Sequence, residues 1–156
     1  MPLLPLPEFA AALPRTGALL GVDPGEKRIG VAVSDVLRLI ASSLDTIARS
    51  KFAADSTALF RFYDARSCAG LVIGHPLNMD GSAGPAAQAA RAFARNLLAK
   101  RDVPALLWDE RLSTAAVTRT LLEGDASRKR RGEVVDKMAA AYMLQGALDA
   151  MKEREA

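Results

Sequence analysis

Three carboxylates in this sequence have the type and placement for metal-assisted chemistry. Asp23 ends the apolar run Ala18–Val22 and leads straight into Pro24-Gly25. Glu110 follows Trp108-Asp109 at the end of a second apolar run, Val103–Trp108. Asp136 lies near the start of a stretch with helical periodicity, three and four residues before Ala139 and Ala140. Each has a plainer reading. Asp23 could cap a turn before Pro-Gly. Glu110 could be an acid favoured by a helix dipole, a part Asp109 could also play. Asp136 could pair with an arginine. At the edge of an apolar stripe, however, a carboxylate must be paired or bind a cation, since burying it alone costs several kcal/mol, roughly. Taken together the three suit hard divalent ions, which prefer oxygen ligands. Two such ions about 3.5–4 Å apart promote phosphodiester hydrolysis. The expected arrangement has Asp23 bridging two Mg²⁺ or Mn²⁺ ions, with Glu110 and Asp136 completing their shells.

The elements that must bring these residues together follow from hydropathy. Ala18–Val22 reads as a strand covered on both faces, Ile29–Val33 as its partner across the Pro24-Gly25 turn, and Ser43–Ala48 as a third strand. Gly30 and Ala32 leave one face of the second strand nearly bare, which admits close approach to the backbone. Helical spacing then predicts a helix over 53–66, a strand over 69–74, an alanine-rich helix over 84–100 with Pro85 in its first turn, and a strand over 103–108. A helix capped by Ser113 or Thr114 should run to about Leu122 and stop at Gly124. A basic loop and a last helix over 134–153 follow. That helix is expected to bury Val135, Met138, Ala139, Tyr142, Met143, Gly146 and Ala147. The order β-β-β-α-β-α-β-α-α describes an α/β domain with an antiparallel edge followed by parallel strands with right-handed crossovers. Ligands of such sheets gather outside the carboxyl ends of the strands.

The segment Val72–Ser82 leaves a buried strand and turns on Gly74-His75-Pro76 and Asp80-Gly81 before a helix start. It lacks the Lys-Ser/Thr of a P-loop. Gly74, Asn78, Gly81 and Ser82 are its candidate phosphate contacts, with a structural βα loop as the alternative. Lys27, Arg28, Arg111, Arg128, Lys129, Arg130 and Arg131 flank the carboxylates in sequence and are candidate contacts for a nucleic-acid backbone. A basic run is also what a solvated face looks like. Aromatic residues are few, so recognition by backbone and shape is expected over base stacking.

The chain has 156 residues, a formal net charge of +3, one cysteine (Cys68) and one histidine (His75). That excludes an internal disulfide and disfavours zinc. Cys68 is expected in the core, and His75 is a loop residue on which no mechanism is built. No stretch reads as a signal peptide or a membrane span, which points to a cytoplasmic protein.

Four motifs resemble the YqgF/RuvX family. They are GVDPGEKRIGVAVSD at 21–35, GHPLNMDGS at 74–82, DERLST at 109–114 and VDKMAA at 135–140, in that order. The resemblance covers about residues 18–150 and leaves 1–17 as an N-terminal extension to a single domain at 18–156. Members are described as pre-16S rRNA nucleases and as Holliday-junction-resolvase-like proteins. The resemblance implies an RNase H-like fold, a five-stranded mixed sheet with helices on both faces. It also implies divalent-metal-dependent cleavage at the 5′ end of precursor 16S rRNA, with precursor RNA or the pre-ribosome as partner. The family's acidic positions fall on Asp23, Glu110 and Asp136. Alternatives are a resolvase of four-way DNA on the same site, a ribosome-assembly RNA-binding factor with little catalysis, and an actin-like nucleotide binder, for which the chain has room for only one of the two required halves.

Overall fold

The computed structural model describes residues 2–112 and 128–155, and side chains over 2–112 and 137–153. Five strands form one sheet: β1 (Leu19–Pro24), β2 (Arg28–Ser34), β3 (Ala41–Ala48), β4 (Gly70–His75) and β5 (Ala105–Asp109). Their order across the sheet is β3-β2-β1-β4-β5. β1 pairs antiparallel with β2, and β2 with β3, while β4 runs parallel to both β1 and β5. This is the expected mixed sheet. The helices are α1 (Leu6–Ala12), α2 (Phe52–Ala65), α3 (Pro85–Lys100) and α4 (Arg128–Glu155), with a 3₁₀ turn at Glu110–Leu112. The helix anticipated from Ser113 or Thr114 to Leu122 lies outside the described residues.

Strand alternation divides the core in two. Leu20, Val22, Ile29, Val31, Leu71 and Ile73 pack with Leu59 and Tyr63 of α2 and with Phe93, Ala94 and Leu97 of α3. On the other face Leu19, Ala32, Val72, Leu106 and Trp108 pack under Ala139, Ala140, Met143, Leu144, Ala147 and Leu148 of α4. Phe9 of α1 is fully buried in that second cluster. The backbone N–H of Leu4 donates to the Ala105 carbonyl at 2.9 Å, which ties the segment before α1 to β5, while Phe9 and Leu13 lie against Gly70 of β4.

Two expectations for the last helix need correction. It begins at Arg128, so Arg128–Arg131 lie in its first turns and not in a loop. Arginine and lysine are good helix formers, and a charge run carries no helix-breaking signal. The buried face is also rotated. Tyr142 is exposed, Met138 and Gly146 are half-buried, and Leu144 and Leu148 are fully buried. The stripe therefore runs through Ala140, Met143, Leu144, Ala147, Leu148 and Met151. Position 136 is four residues before Ala140 and eight before Leu144 in the same helix. Cys68 is half-buried at the start of β4's lead-in, and burial pushes its thiol up to about 11.

Hydrogen bonds fix the direction of α4. Gln145 Oε1 accepts from the Ala41 N–H at 2.8 Å, and the Lys137 carbonyl accepts from Ser43 Oγ at 3.2 Å. As β3 advances from 41 to 43, α4 runs back from 145 to 137. β3 is parallel to β1 through two antiparallel pairings, so α4 runs antiparallel to β1 and starts at the carboxyl ends of β1, β4 and β5.

Candidate active site

Asp23 is the fifth residue of β1 and is 5% exposed. It faces α4, like Gly21 two residues earlier: a Cβ built on Gly21 would lie 2.9 Å from Leu144 Cβ. In register with Asp23 on β2 is Gly30. On β4 the parallel register, which pairs Val22 with Ile73, brings Gly74 alongside. The carboxylate thus stands between two strand positions without side chains.

Glu110 opens the 3₁₀ turn after β5 and is 4% exposed. A Cβ on Gly74 would fall 2.6 Å from Glu110 Oε1 and 3.3 Å from Asp23 Oδ1. Two buried carboxylates therefore converge over the backbone of one glycine. Any other residue at 74 would occupy the space they share, well inside van der Waals contact. Gly74, a candidate phosphate-loop residue by sequence, is the next-to-last residue of β4 and forms the floor beneath the two carboxylates.

Helix periodicity places position 136 two turns before Leu144, about 12 Å along the axis. That is toward the same carboxyl edge of the sheet. The Asp136 side chain lies outside those described, as do those of Arg128–Arg131. Among the described residues no group of three His, Cys, Asp or Glu stands together, so the described part of the site is the Asp23–Glu110 pair. The donor chemistry fits a hard divalent ion. Both donors are carboxylates, Gly74 keeps the space between them open, and the soft or nitrogen donors lie elsewhere. Cys68 sits beyond the opposite end of β4, and His75 points to the other face of the sheet.

His75 is paired in register with Asp109 and is buried against α3. Burial first, then the nearby Arg91, holds its pKa below the usual imidazole value, against the pull of Asp109 and the Ala87 backbone. Its Nε2 is buried and makes no hydrogen bond. Asp109, which competed with Glu110 in the sequence, is committed to Arg111. Arg111 donates from Nε and Nη2 to the Asp109 carboxylate, at 3.1 and 2.7 Å, and that hydrogen-bonded guanidinium holds Asp109 below the usual carboxylate range.

A family model described as RuvX: Holliday junction resolvase matches residues 17–150. The chain belongs to the RuvX family. A relative from Paracoccus denitrificans, named "Putative pre-16S rRNA nuclease", is 60% identical over 144 residues, 92% of this chain and 91% of the relative. One of the same name from Rhodospirillum rubrum is 59% identical over 152 residues, 97% and 94% of the two chains. Among solved structures, Thermus thermophilus RuvC in complex with a Holliday junction substrate superimposes with a TM-score of 0.52 at 14% identity. It covers 90% of this chain and 96% of that one. At that identity the likeness speaks for the fold, the RNase H-like arrangement.

In this RuvX-family chain the basic candidates divide. Lys27 and Arg28 follow Asp23 at the β1–β2 turn, and Arg28 shares the strand face of Gly30. Arg111 is a tether. Besides holding Asp109, its Nη1 donates to the Met79 carbonyl at 3.2 Å, binding the 76–84 loop to the turn that carries Glu110. Arg128–Arg131 occupy the start of α4, at the edge where Asp23 and Glu110 lie. In the loop, the Asn78 N–H donates to the Ser82 carbonyl, the Gly81 N–H to the Asn78 carbonyl, and the Ser82 N–H to Asp80 Oδ1. An anion at Asn78, Gly81 or Ser82 would compete with these internal bonds and with the Asp80 carboxylate.

The sequence reading passed over Arg49, just past β3. Its backbone N–H donates to the Lys27 carbonyl and its Nη1 to the Gly25 carbonyl, at 3.0 and 2.8 Å. It pins the turn behind Asp23. Only the strand register could have pointed to it, because nothing in the local sequence links 49 to 25. Among the described residues no helix is long and apolar enough to cross a membrane.

Proposed function

We propose that this protein is a metal-dependent nuclease that processes the 5′ end of precursor 16S rRNA in the cytoplasm. The convergence of Asp23 and Glu110 over Gly74, at the carboxyl edge of the sheet, carries the reading. The names borne by relatives at about 60% identity support the RNA substrate. Asp23 and Glu110, with Asp136 from α4, would hold two Mg²⁺ or Mn²⁺ ions. When bound, such ions activate water and stabilise the leaving oxygen of a phosphodiester. The chain's own part is positioning. Asp23 is fixed on an inner strand with neighbours on both sides. Glu110 is oriented by a turn that Asp109 and Arg111 brace. Lys27, Arg28 and the start of α4 line the same edge with positive charge, where they would hold the backbone phosphates on either side of the scissile one.

Purified protein incubated with a precursor 16S fragment should cleave it only when Mg²⁺ or Mn²⁺ is present. Asp23→Asn should lower kcat about a thousandfold, equivalent to the several kcal/mol a metal site supplies. Equal cleavage by Asp23→Asn would remove the reading. The description of the family model favours a second substrate, four-way DNA. A parallel assay on a four-way junction, with cleavage faster there than on precursor RNA, would select it.

A further inference from the structure

The turn behind Asp23 has a second side. Pro24, Gly25, Glu26 and Arg49 form one wall of a groove of about 430 Å³, and Ala86 and Ala89 of α3 form the other. The groove opens on the α3 face, whereas Asp23 and Glu110 stand on the α4 face. Pro24 and Gly25, which follow Asp23 directly in the chain, line the groove. The volume lies in the range of small-ligand sites, which begins at about 300 Å³. Its far wall, completed by Pro85, carries only small side chains, which leaves room for a bulky occupant.

Two charged groups line the groove, Glu26, which is exposed, and Arg49, which is held in place. Its guanidinium lies over the Phe93 ring, 5.2 Å from the centroid, and spends one donor on the Gly25 carbonyl. Arg101 and Arg111 are neutralised by Asp64 and Asp109 at 2.7 Å. The acceptor of Arg49 is a neutral carbonyl, so its charge stays uncompensated by that bond while its plane is held. An oriented guanidinium with spare N–H groups suits a phosphate.

We propose that this groove seats the sugar-phosphate of the nucleotide next to the scissile phosphate, with Arg49 as its phosphate contact. The strand crosses the sheet edge over Pro24–Gly25, reacts on the α4 side and is held on the α3 side. The inference rests on the nuclease reading and assigns part of the substrate to a surface that the carboxylates do not touch.

Replacing Arg49 would also loosen the turn, so the decisive variant is Ala89→Phe, which fills the groove from an exposed helix position. Binding of a dye-labelled precursor RNA fragment is read by fluorescence anisotropy with EDTA present to prevent cleavage. Ala89→Phe should weaken binding about tenfold, the scale of one lost nucleotide contact. Its melting temperature and its calorimetric affinity for Mn²⁺ should match wild type. Equal RNA affinity in the two proteins overturns the groove and leaves the nuclease reading intact. A wild-type protein that neither binds nor cleaves precursor RNA overturns that reading, and the groove with it.

Discussion

The two faces of the sheet are built from the same strands to opposite ends. Toward α2 and α3 the strands present Leu20, Val22, Ile29, Val31, Leu71 and Ile73, a surface of large branched side chains. Toward α4 the alternate positions include Gly21, Gly30, Ala32 and Gly74, and α4 answers with Ala139, Ala140 and Ala147. The first face gains stability from buried area. The second keeps Leu19, Val72, Leu106 and Trp108 but gives up side-chain volume at these glycines and at Ala32, where a helix and two carboxylates come close to the sheet. Chemistry gathers where the sheet is thin, and the thick face holds it still.

That division predicts where damage should appear. Among variants that leave the carboxylates themselves in place, Gly74→Ala should have the largest effect on activity. The added Cβ meets the mobile end of Glu110, so the side chain can swing away at little cost to folding. The swing misplaces the carboxylate, and kcat should drop about a hundredfold, as for an ångström of misplacement, with the melting temperature nearly unchanged. Leu97→Ala on the thick face should do the reverse. It should cost about 2–5 kcal/mol in denaturant unfolding and leave kcat of the folded fraction at the wild-type level. Gly21→Ala sharpens the comparison, because its Cβ meets Leu144 Cβ on α4 itself. The helix must shift, and both readouts should move: stability by about 1–3 kcal/mol, and activity through the displaced start of α4. If thick- and thin-face variants lose activity and stability in the same proportion, the division is wrong.

Arg111→Ala should have the smallest effect, as expected for a solvent-screened pair, and its size depends on pH. Asp109 titrates below its unfolded value because Arg111 donates to it. The pair therefore stabilises fully above the unfolded carboxylate pKa and loses that contribution as pH falls through the folded one. The difference in melting temperature between wild type and Arg111→Ala should be larger at neutral pH than in acid, where the bond to the Met79 carbonyl alone remains. A difference that does not change with pH would remove the Asp109 pairing as a source of stability.

Much of this architecture was legible in the residues. Apolar runs of five or six residues marked β1, β4 and β5, and the switch to helical spacing marked α2 and α3, because hydrophobic periodicity reports directly on which face is buried. Gly30 and Ala32 already told that one face was thin. The buried face of α4 is not legible in the sequence, because Tyr142 reads as apolar yet is exposed, while Leu144 and Leu148 carry the contact. The role of Gly74 was hidden for a different reason. A glycine before His-Pro looks like loop punctuation, and only the register against β1 and β5 shows that two carboxylates meet above it. Register is set by long-range pairing, which a local window cannot see.

The central claim is that Asp23 and Glu110 hold divalent ions over Gly74. Calorimetric titration of Mn²⁺ into wild type, Asp23→Asn and Glu110→Gln tests it most directly. Binding in the wild type, weakened about tenfold or more in each variant, is the result predicted. Three superimposable isotherms would contradict it.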